Sequence, residues 1–283
     1  MSAAITFEGV TKRIKDQEII SNVICSFEEQ TLYGLLGRNG AGKTTLMKLM
    51  TGQIAPTNGA VRILGKNPFD NKEVQNQLCF IKESGNFKKT LRIKDLVHIA
   101  PSFYPHWDQD FAEALLDQFD LLPKKKVMDL SKGMESALGI TFGLASRAPI
   151  TIFDEPYIGM DAAARQQFYD LLVEDYGDHP RTIILSTHLI DEIRHVFERI
   201  MVMKKGEILF EEDVETLRTH AYKLSGNSKS FPSLEGVTIL DDQEFMGTRT
   251  VSVLDLDRRL QELSPVIEKQ PLPLQDFMIQ ITK

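Results

Sequence analysis

The sequence predicts an α/β fold, and three observations carry that prediction. Residues 37–45, Gly37-Arg38-Asn39-Gly40-Ala41-Gly42-Lys43-Thr44-Thr45, fit the pattern glycine, any four residues, glycine, lysine, then serine or threonine. An apolar run, Leu32, Tyr33, Leu35 and Leu36, enters them as a strand, and Leu46, Leu49 and Met50 leave them at helical spacing, with Gly52 as the stop. Further on, Ile150-Thr151-Ile152-Phe153 reads as a buried strand ending in two carboxylates, Asp154 and Glu155. A strand, a glycine-rich turn and a helix in that order make a phosphate loop. Its glycines let the backbone curl until successive N–H groups point at phosphate oxygens, Lys43 adds a point charge, and the Thr44 hydroxyl is placed for Mg2+.

The 283 residues allow one large or two modest domains, and 42 % hydrophobic with 26 % charged residues is enough to bury a sizeable core. A net charge of −7 argues against a nucleic-acid partner, because neutralising a duplex needs clustered Lys and Arg. Cys25 and Cys79 sit in apolar strand-like stretches with no pairing pattern, which points to a reduced, cytosolic compartment and to no cysteine metal site. No apolar run approaches the roughly 18 residues of a membrane span and no signal pattern opens the chain. Any membrane role is therefore expected to come through a partner.

Taken in order, residues 3–27 read as two or three short strands, Ile5 and Phe7, then Ile19 and Ile20, then residues 23–27, joined by the turn Lys15-Asp16-Gln17. Pro56-Thr57-Asn58-Gly59 turns into a strand at residues 60–64, and Leu78-Cys79-Phe80-Ile81 is another buried strand, ending at Lys82-Glu83. From about residue 86 to 146 the spacing turns helical, as in Leu91, Ile93, Leu96 and Val97, then Phe111, Ala114, Leu115 and Phe119, and predicts a helical insertion. Phe103, Tyr104 and Trp107 fit either a docking surface or, preferably, that subdomain's core, and Lys124-Lys125-Lys126 reads as a solvated face.

Ser131 and Gly133, in Leu-Ser-Lys-Gly-Met at residues 130–134, stand at the start of a helix rich in small and apolar residues. Alone they are a serine cap beside a glycine; the free N–H groups of a helix start also suit an anion. Their place 23 residues before Asp154 favours the second use. Beside a phosphate loop, the first of two strand-end carboxylates orients magnesium and the second polarises the attacking water. A helix over residues 161–173 and a strand over 182–185 follow, and the strand leads to Ser186-Thr187-His188. Parallel strand ends converge on a bound nucleotide, so His188 is read as a γ-phosphate contact. His98, His106, His179, His195 and His220 match no ligand spacing and are assigned no chemistry. A hairpin, residues 200–203 and 208–210, ends the first lobe. Beyond it, Ser225, Gly226, Asn227 and Ser228 suggest a flexible lead-in to strands at 237–240 and 250–253 and a helix at 256–263. No internal repeat is visible.

With the phosphate loop, residues 130–134, Asp154-Glu155 and His188 in that order, the chain resembles the ATP-binding subunit of a bacterial ABC transporter over about residues 3–215. Leu-Ser-Lys-Gly-Met and the Phe-Tyr-Pro-x-Trp stretch ahead of it look most like exporter ATPases of the YtrB-like group, which includes relatives that export amphipathic peptides. The resemblance implies a P-loop NTPase fold of ABC ATPase type, with an antiparallel β subdomain, a RecA-like core, an inserted helical subdomain at about 86–146 and a small C-terminal α+β extension. It divides the chain into an ATPase domain, 1–220, and that extension, 221–283. It also implies a head-to-tail dimer with a second ABC ATPase subunit, identical or not, that sandwiches two ATP molecules. Lys43, Thr44 and the rest of 37–45 would hold phosphate and Mg2+, Asp154 would position the metal, Glu155 would be the general base, and His188 would contact the γ-phosphate. Ser131 and Gly133 would cap the partner's ATP, and Gly159-Met160-Asp161 matches the segment that crosses the dimer seam.

Three positions depart from the family pattern. Ile14 stands where an aromatic usually stacks on adenine and offers apolar contact without a π-face. Glu83 stands where a glutamine usually reaches the magnesium, and Glu135-Ser136-Ala137 replaces basic and amide residues after the signature. The implied function is an ATPase motor, cytoplasmic and peripheral on the inner face of the cell membrane, driving export through a separate permease. The alternative, a soluble ABC-type ATPase remodelling a ribosome or nucleic-acid complex, fits less well, because such chains carry two ATPase units or a long coiled coil. A kinase or GTPase would leave residues 130–134 unexplained.

Overall fold

Alternation of apolar residues on one face decides the first two elements. Ile5, Phe7 and Val10 are buried on β1, Ala3–Ile14, and Ile20, Val23 and Phe27 on β2, Gln17–Glu28, while Lys15 turns the chain between them at φ 55°. The short strands expected here are thus two strands of 12 residues each, whose register shifts absorb the breaks in alternation. The computed structural model describes residues 2–189, 196–260 and 266–282; His195 and residues 261–263 lie outside them.

Then follow β3, Leu32–Leu36; α1, Lys43–Met50; β4, Asn58–Ile63; α2, Lys72–Gln75; and β5, Leu78–Ile81. The helical stretch holds α3, Ile93–Ile99; α4, Gln109–Gln118; and α5, Lys132–Ala145. The chain returns through β6, Ile150–Asp154; α6, Ala162–Asp178; β7, Thr182–Thr187; β8, Arg199–Lys204; β9, Glu207–Asp213; and α7, Val214–His220. The last elements are β10, Ala221–Asn227; β11, Thr238–Phe245; β12, Thr248–Leu254; β13, Glu268–Pro271; and α8, Leu274–Ile281.

Three sheets result. β2-β1-β4 is antiparallel, and β5-β6-β7-β3-β8-β9 is parallel apart from its edge strand β9. β3, β6 and β7 are buried at every residue, as strands covered on both faces must be. Register then positions the chemistry: Leu36 pairs with Thr187 and Asp154 with Ser186, so the chain leaves three adjacent strands on one edge at Gly37, Glu155 and His188. α5 packs so closely on this sheet that a Cβ at Gly143 would lie 2.3 Å from the Phe153 ring. Tyr104 and Trp107 are half-buried, with the Trp107 ring centroid 5.0 Å from that of Phe142, so they serve the core; Phe103 is exposed.

The C-terminal sheet, β11-β12-β10-β13, corrects two expectations. Ser225, Gly226 and Asn227 are no flexible lead-in, for they end β10, a central strand paired with β12 and β13. Gly226 is there for close approach: a Cβ would stand 2.6 Å from Ile267 Cδ1. The helix expected from residue 256 is instead a turn through residue 260, with Arg258 at φ 55°. The Asp255 carboxylate takes the N–H groups of Arg259 and Leu260 at 2.8 and 2.9 Å, and Leu260 is buried against the sheet. β13 and α8 escaped sequence reading. The Pro273 that opens α8 was the available signal, and the helix buries Phe277 and Met278, with Phe277 against Phe210 of β9.

Candidate active site

The phosphate loop is fixed from both ends. Ala41 N–H donates to the Arg38 carbonyl at 3.0 Å, and the Gly206 N–H of the β8–β9 turn donates to the Ala41 carbonyl at 2.9 Å. Gly42, at φ 110°, caps α1 with no side-chain hydrogen bond, and the first turn carries no acid, so the helix's free N–H groups face outward, suited to an anion. Lys43 is 6 % exposed; its ammonium donates to the Gly37 carbonyl at 2.8 Å and stands 3.4 Å from Glu155 Oε1.

From Lys43 the contacts run on through both carboxylates. Thr44 Oγ1 donates to Asp154 Oδ2, and Ser186 Oγ to Asp154 Oδ1, each at 2.7 Å. The Glu155 N–H donates to the same Ser186 oxygen at 3.2 Å. Glu155 itself sits at φ 47°, a left-handed conformation costing about 1–3 kcal/mol that the packed strands around it sustain. Its Oε2 lies 2.9 Å from His188 Nδ1. Lys43, Thr44, Asp154, Glu155 and His188, all expected from sequence, therefore form one connected group. Ser186 was read only as the end of a strand, and Tyr157 was not singled out. Ser186 is fully buried and holds the Asp154 carboxylate and the Glu155 backbone N–H; the Tyr157 hydroxyl lies 2.6 Å from Thr187 Oγ1 and 3.4 Å from the His188 N–H it accepts. The signal for Ser186 was its register opposite Asp154, which only a sheet reveals.

Ser131, Gly133 and Glu83 form a second group. The Ser131 hydroxyl accepts the Met134 N–H at 3.2 Å as the cap of α5, and Ser136 Oγ donates to the Ile158 carbonyl at 2.7 Å. Glu83 faces this segment, with its Oε1 3.4 Å from Lys132 Nζ and both side chains about half exposed. Ile14 ends β1 beside its turn, 48 % exposed. A Cβ at Gly133 would come 2.6 Å from the Gly159 carbonyl oxygen. Gly133→Ala is therefore expected to shift the α5 N-terminus off the 158–160 loop and lower ATP turnover about ten- to a hundredfold. ATP binding to the isolated subunit, followed by titration with a fluorescent analogue, should stay unchanged.

A hydroxyl and a carboxylate oxygen already 2.7 Å apart at Thr44 and Asp154 are the hard donors magnesium takes alongside phosphates. Among the described residues no group of three or more His, Cys, Asp or Glu could hold a metal without them. The Thr44 and Asp154 oxygens suit a nucleotide that brings its own metal. Over residues 20–158 the chain matches the family described as ABC transporter. It is 24 % identical to the ABC transporter ATP-binding protein YtrB of Bacillus subtilis over 282 residues, 97 % of each chain. With the uncharacterized ABC transporter ATP-binding protein YcbN of the same organism, identity is 31 % over 224 residues, 77 % of this chain and 72 % of that one. With the bacitracin transport ATP-binding protein BcrA of Bacillus licheniformis it is 28 % over 252 residues, 86 % and 82 % of the two chains. A solved dimeric ATP-binding cassette, in a post-hydrolysis state with ADP and phosphate, shares the fold at a TM-score of 0.66 and 23 % identity, covering 74 % of this chain and 98 % of that one. A phosphate loop joined to paired carboxylates on one sheet edge, in a chain with these relatives, means that it belongs to the ATP-binding subunits of the ABC transporter family, ATPases that work on ATP with Mg2+.

Proposed function

We propose that this subunit drives export through a separate membrane permease, closing on a second ABC ATPase subunit when ATP binds and opening after hydrolysis. The observation that carries the reading is the connected group from Lys43 to His188 at the open N-terminus of α1. Lys43, Thr45 and the N–H groups of Gly37, Arg38, Asn39, Gly40, Ala41 and Gly42 grip the phosphates, and Ile14 gives the base an apolar contact. Thr44 and Asp154 hold the metal, with Glu83 as a further donor once it leaves Lys132. Bound magnesium would neutralise charge growing on the phosphate oxygens. Glu155 takes the proton of the attacking water, and His188, whose Nδ1 lies 2.9 Å from Glu155 Oε2, turns to the γ-phosphate. Ser186 keeps the Asp154 carboxylate aimed and anchors the Glu155 backbone.

Ser131 and Gly133 of one subunit complete the ATP site of the other, consistent with the exposure of Ser131 and with the dimeric cassette. The bacitracin transport relative supports a transport role. No helix of the described residues is long and apolar enough to cross a membrane. In this reading the permease is a separate chain and the subunit is peripheral on the inner face of the membrane. Residues 1–220 act as the ATPase domain, with 86–146 as the lobe that passes its motion to the permease, and 221–283 are an extension with its own cluster of Leu224, Val251, Val253, Leu260 and Ile267. The test is purification of the tagged full chain from detergent-solubilised membranes. An integral permease is expected at stoichiometric amount; ribosomes in its place would overturn the reading.

A further inference from the structure

A chain with net charge −7 carries two stretches free of acids and dense in cations: residues 88–94 hold four Lys or Arg, and 124–126 are three consecutive lysines. They are 30 residues apart in sequence, and the fold lays them side by side. Ile93 N–H donates to the Lys125 carbonyl at 3.0 Å, Lys94 N–H to Pro123 at 2.9 Å, Val127 N–H to Leu91 at 3.0 Å and Met128 N–H to Lys89 at 3.0 Å. Arg92 and Lys126 face each other across an antiparallel bridge. Like charges directly opposite are unfavourable, yet among the described residues none of the seven side chains is ion-paired with a carboxylate, and Lys125 alone bends inward, to the Met134 sulfur. Six of the seven are exposed. Asp95, Asp120 and Asp129 bracket the two stretches in sequence without entering them.

Two apolar side chains stand out of the same surface, Leu122 at 63 % exposure and Met128 at 60 %. A rigid platform of cations with protruding aliphatic groups matches a lipid headgroup layer, which offers phosphates outside and hydrocarbon beneath. It matches single-stranded nucleic acid less well, since that would call for aromatic faces between the cations. We infer that the surface formed by residues 88–94 and 122–128 binds anionic phospholipid headgroups directly, a membrane contact of the subunit's own, beyond any made through a permease. The contact is local: at physiological salt charges further than about 8 Å are screened, so the acidic remainder does not cancel it.

The experiment is flotation of the purified full chain with phosphatidylcholine vesicles, with and without phosphatidylglycerol. Binding is expected only to the anionic vesicles and should fall steeply with added salt. Each cation near such a surface contributes about a fivefold change in partitioning, so Lys124→Gln with Lys126→Gln should weaken binding roughly twenty-five-fold while leaving the melting temperature in place. Leu122→Ser with Met128→Ser should weaken it at unchanged charge. Equal binding to both vesicle types, binding indifferent to the lysine changes, or retention of an oligonucleotide in place of anionic vesicles would each overturn the assignment. So would capture by permease in neutral lipid that the lysine changes abolish while anionic vesicles fail to bind, because that assigns the surface to a protein.

Discussion

Glu155→Gln is expected to lower ATP turnover about a thousandfold and to leave an ATP-loaded dimer that sediments as twice the subunit mass. The amide keeps the shape of the carboxylate, its left-handed backbone and its place beside His188. What it removes is the group able to take a proton from water. It also removes the negative partner of Lys43, which frees that ammonium for phosphate and favours the bound state. Loss of hydrolysis with tighter closure is the signature of a general base; a monomer that turns over ATP at the unchanged rate would remove both the base and the shared-site reading.

Lys43→Ala is expected to act earlier, at binding. The ammonium is buried, and it bridges the Gly37 carbonyl and the Glu155 carboxylate. Charge-assisted hydrogen bonds of this kind contribute about 1.5–3 kcal/mol, so ATP affinity measured by calorimetry should fall ten- to a hundredfold and hydrolysis should disappear. Because Glu155 would then sit nearly buried without its cation, the unliganded variant should also melt at a lower temperature. Glu155→Gln in the same chain should recover part of that melting temperature and none of the hydrolysis.

Sequence spacing was informative wherever one strand or helix determined its own chemistry. Lys43 and Thr44 follow from the loop pattern, Asp154 and Glu155 from an apolar run that ends in carboxylates, and Ser131 caps a helix whose start it marked. Pairing between distant segments was not legible. Ser186 matters because β7 lies beside β6, and the cation surface exists because residues 88–94 lie beside 122–128. In the C-terminal lobe the misreadings have a common cause. Ser225, Gly226 and Asn227 are small and polar, a loop composition, yet two neighbouring strands supply the hydrogen bonds that make them β10, while the apolar spacing after residue 255 was overridden by the Asp255 carboxylate.

Thr44 is hydrogen-bonded to Asp154 and Lys43 to the Gly37 carbonyl, and Glu155 lies 2.9 Å from His188, so the groups proposed to hold a triphosphate can also satisfy one another. Nucleotide binding is then an exchange of partners, and its net gain is the difference between the new contacts and the old. A ligand with few negative oxygens offers too little in return. Such a loop is expected to select by how much charge a ligand delivers as well as by shape, and a diphosphate would face the protein's own side chains as competitors for its place.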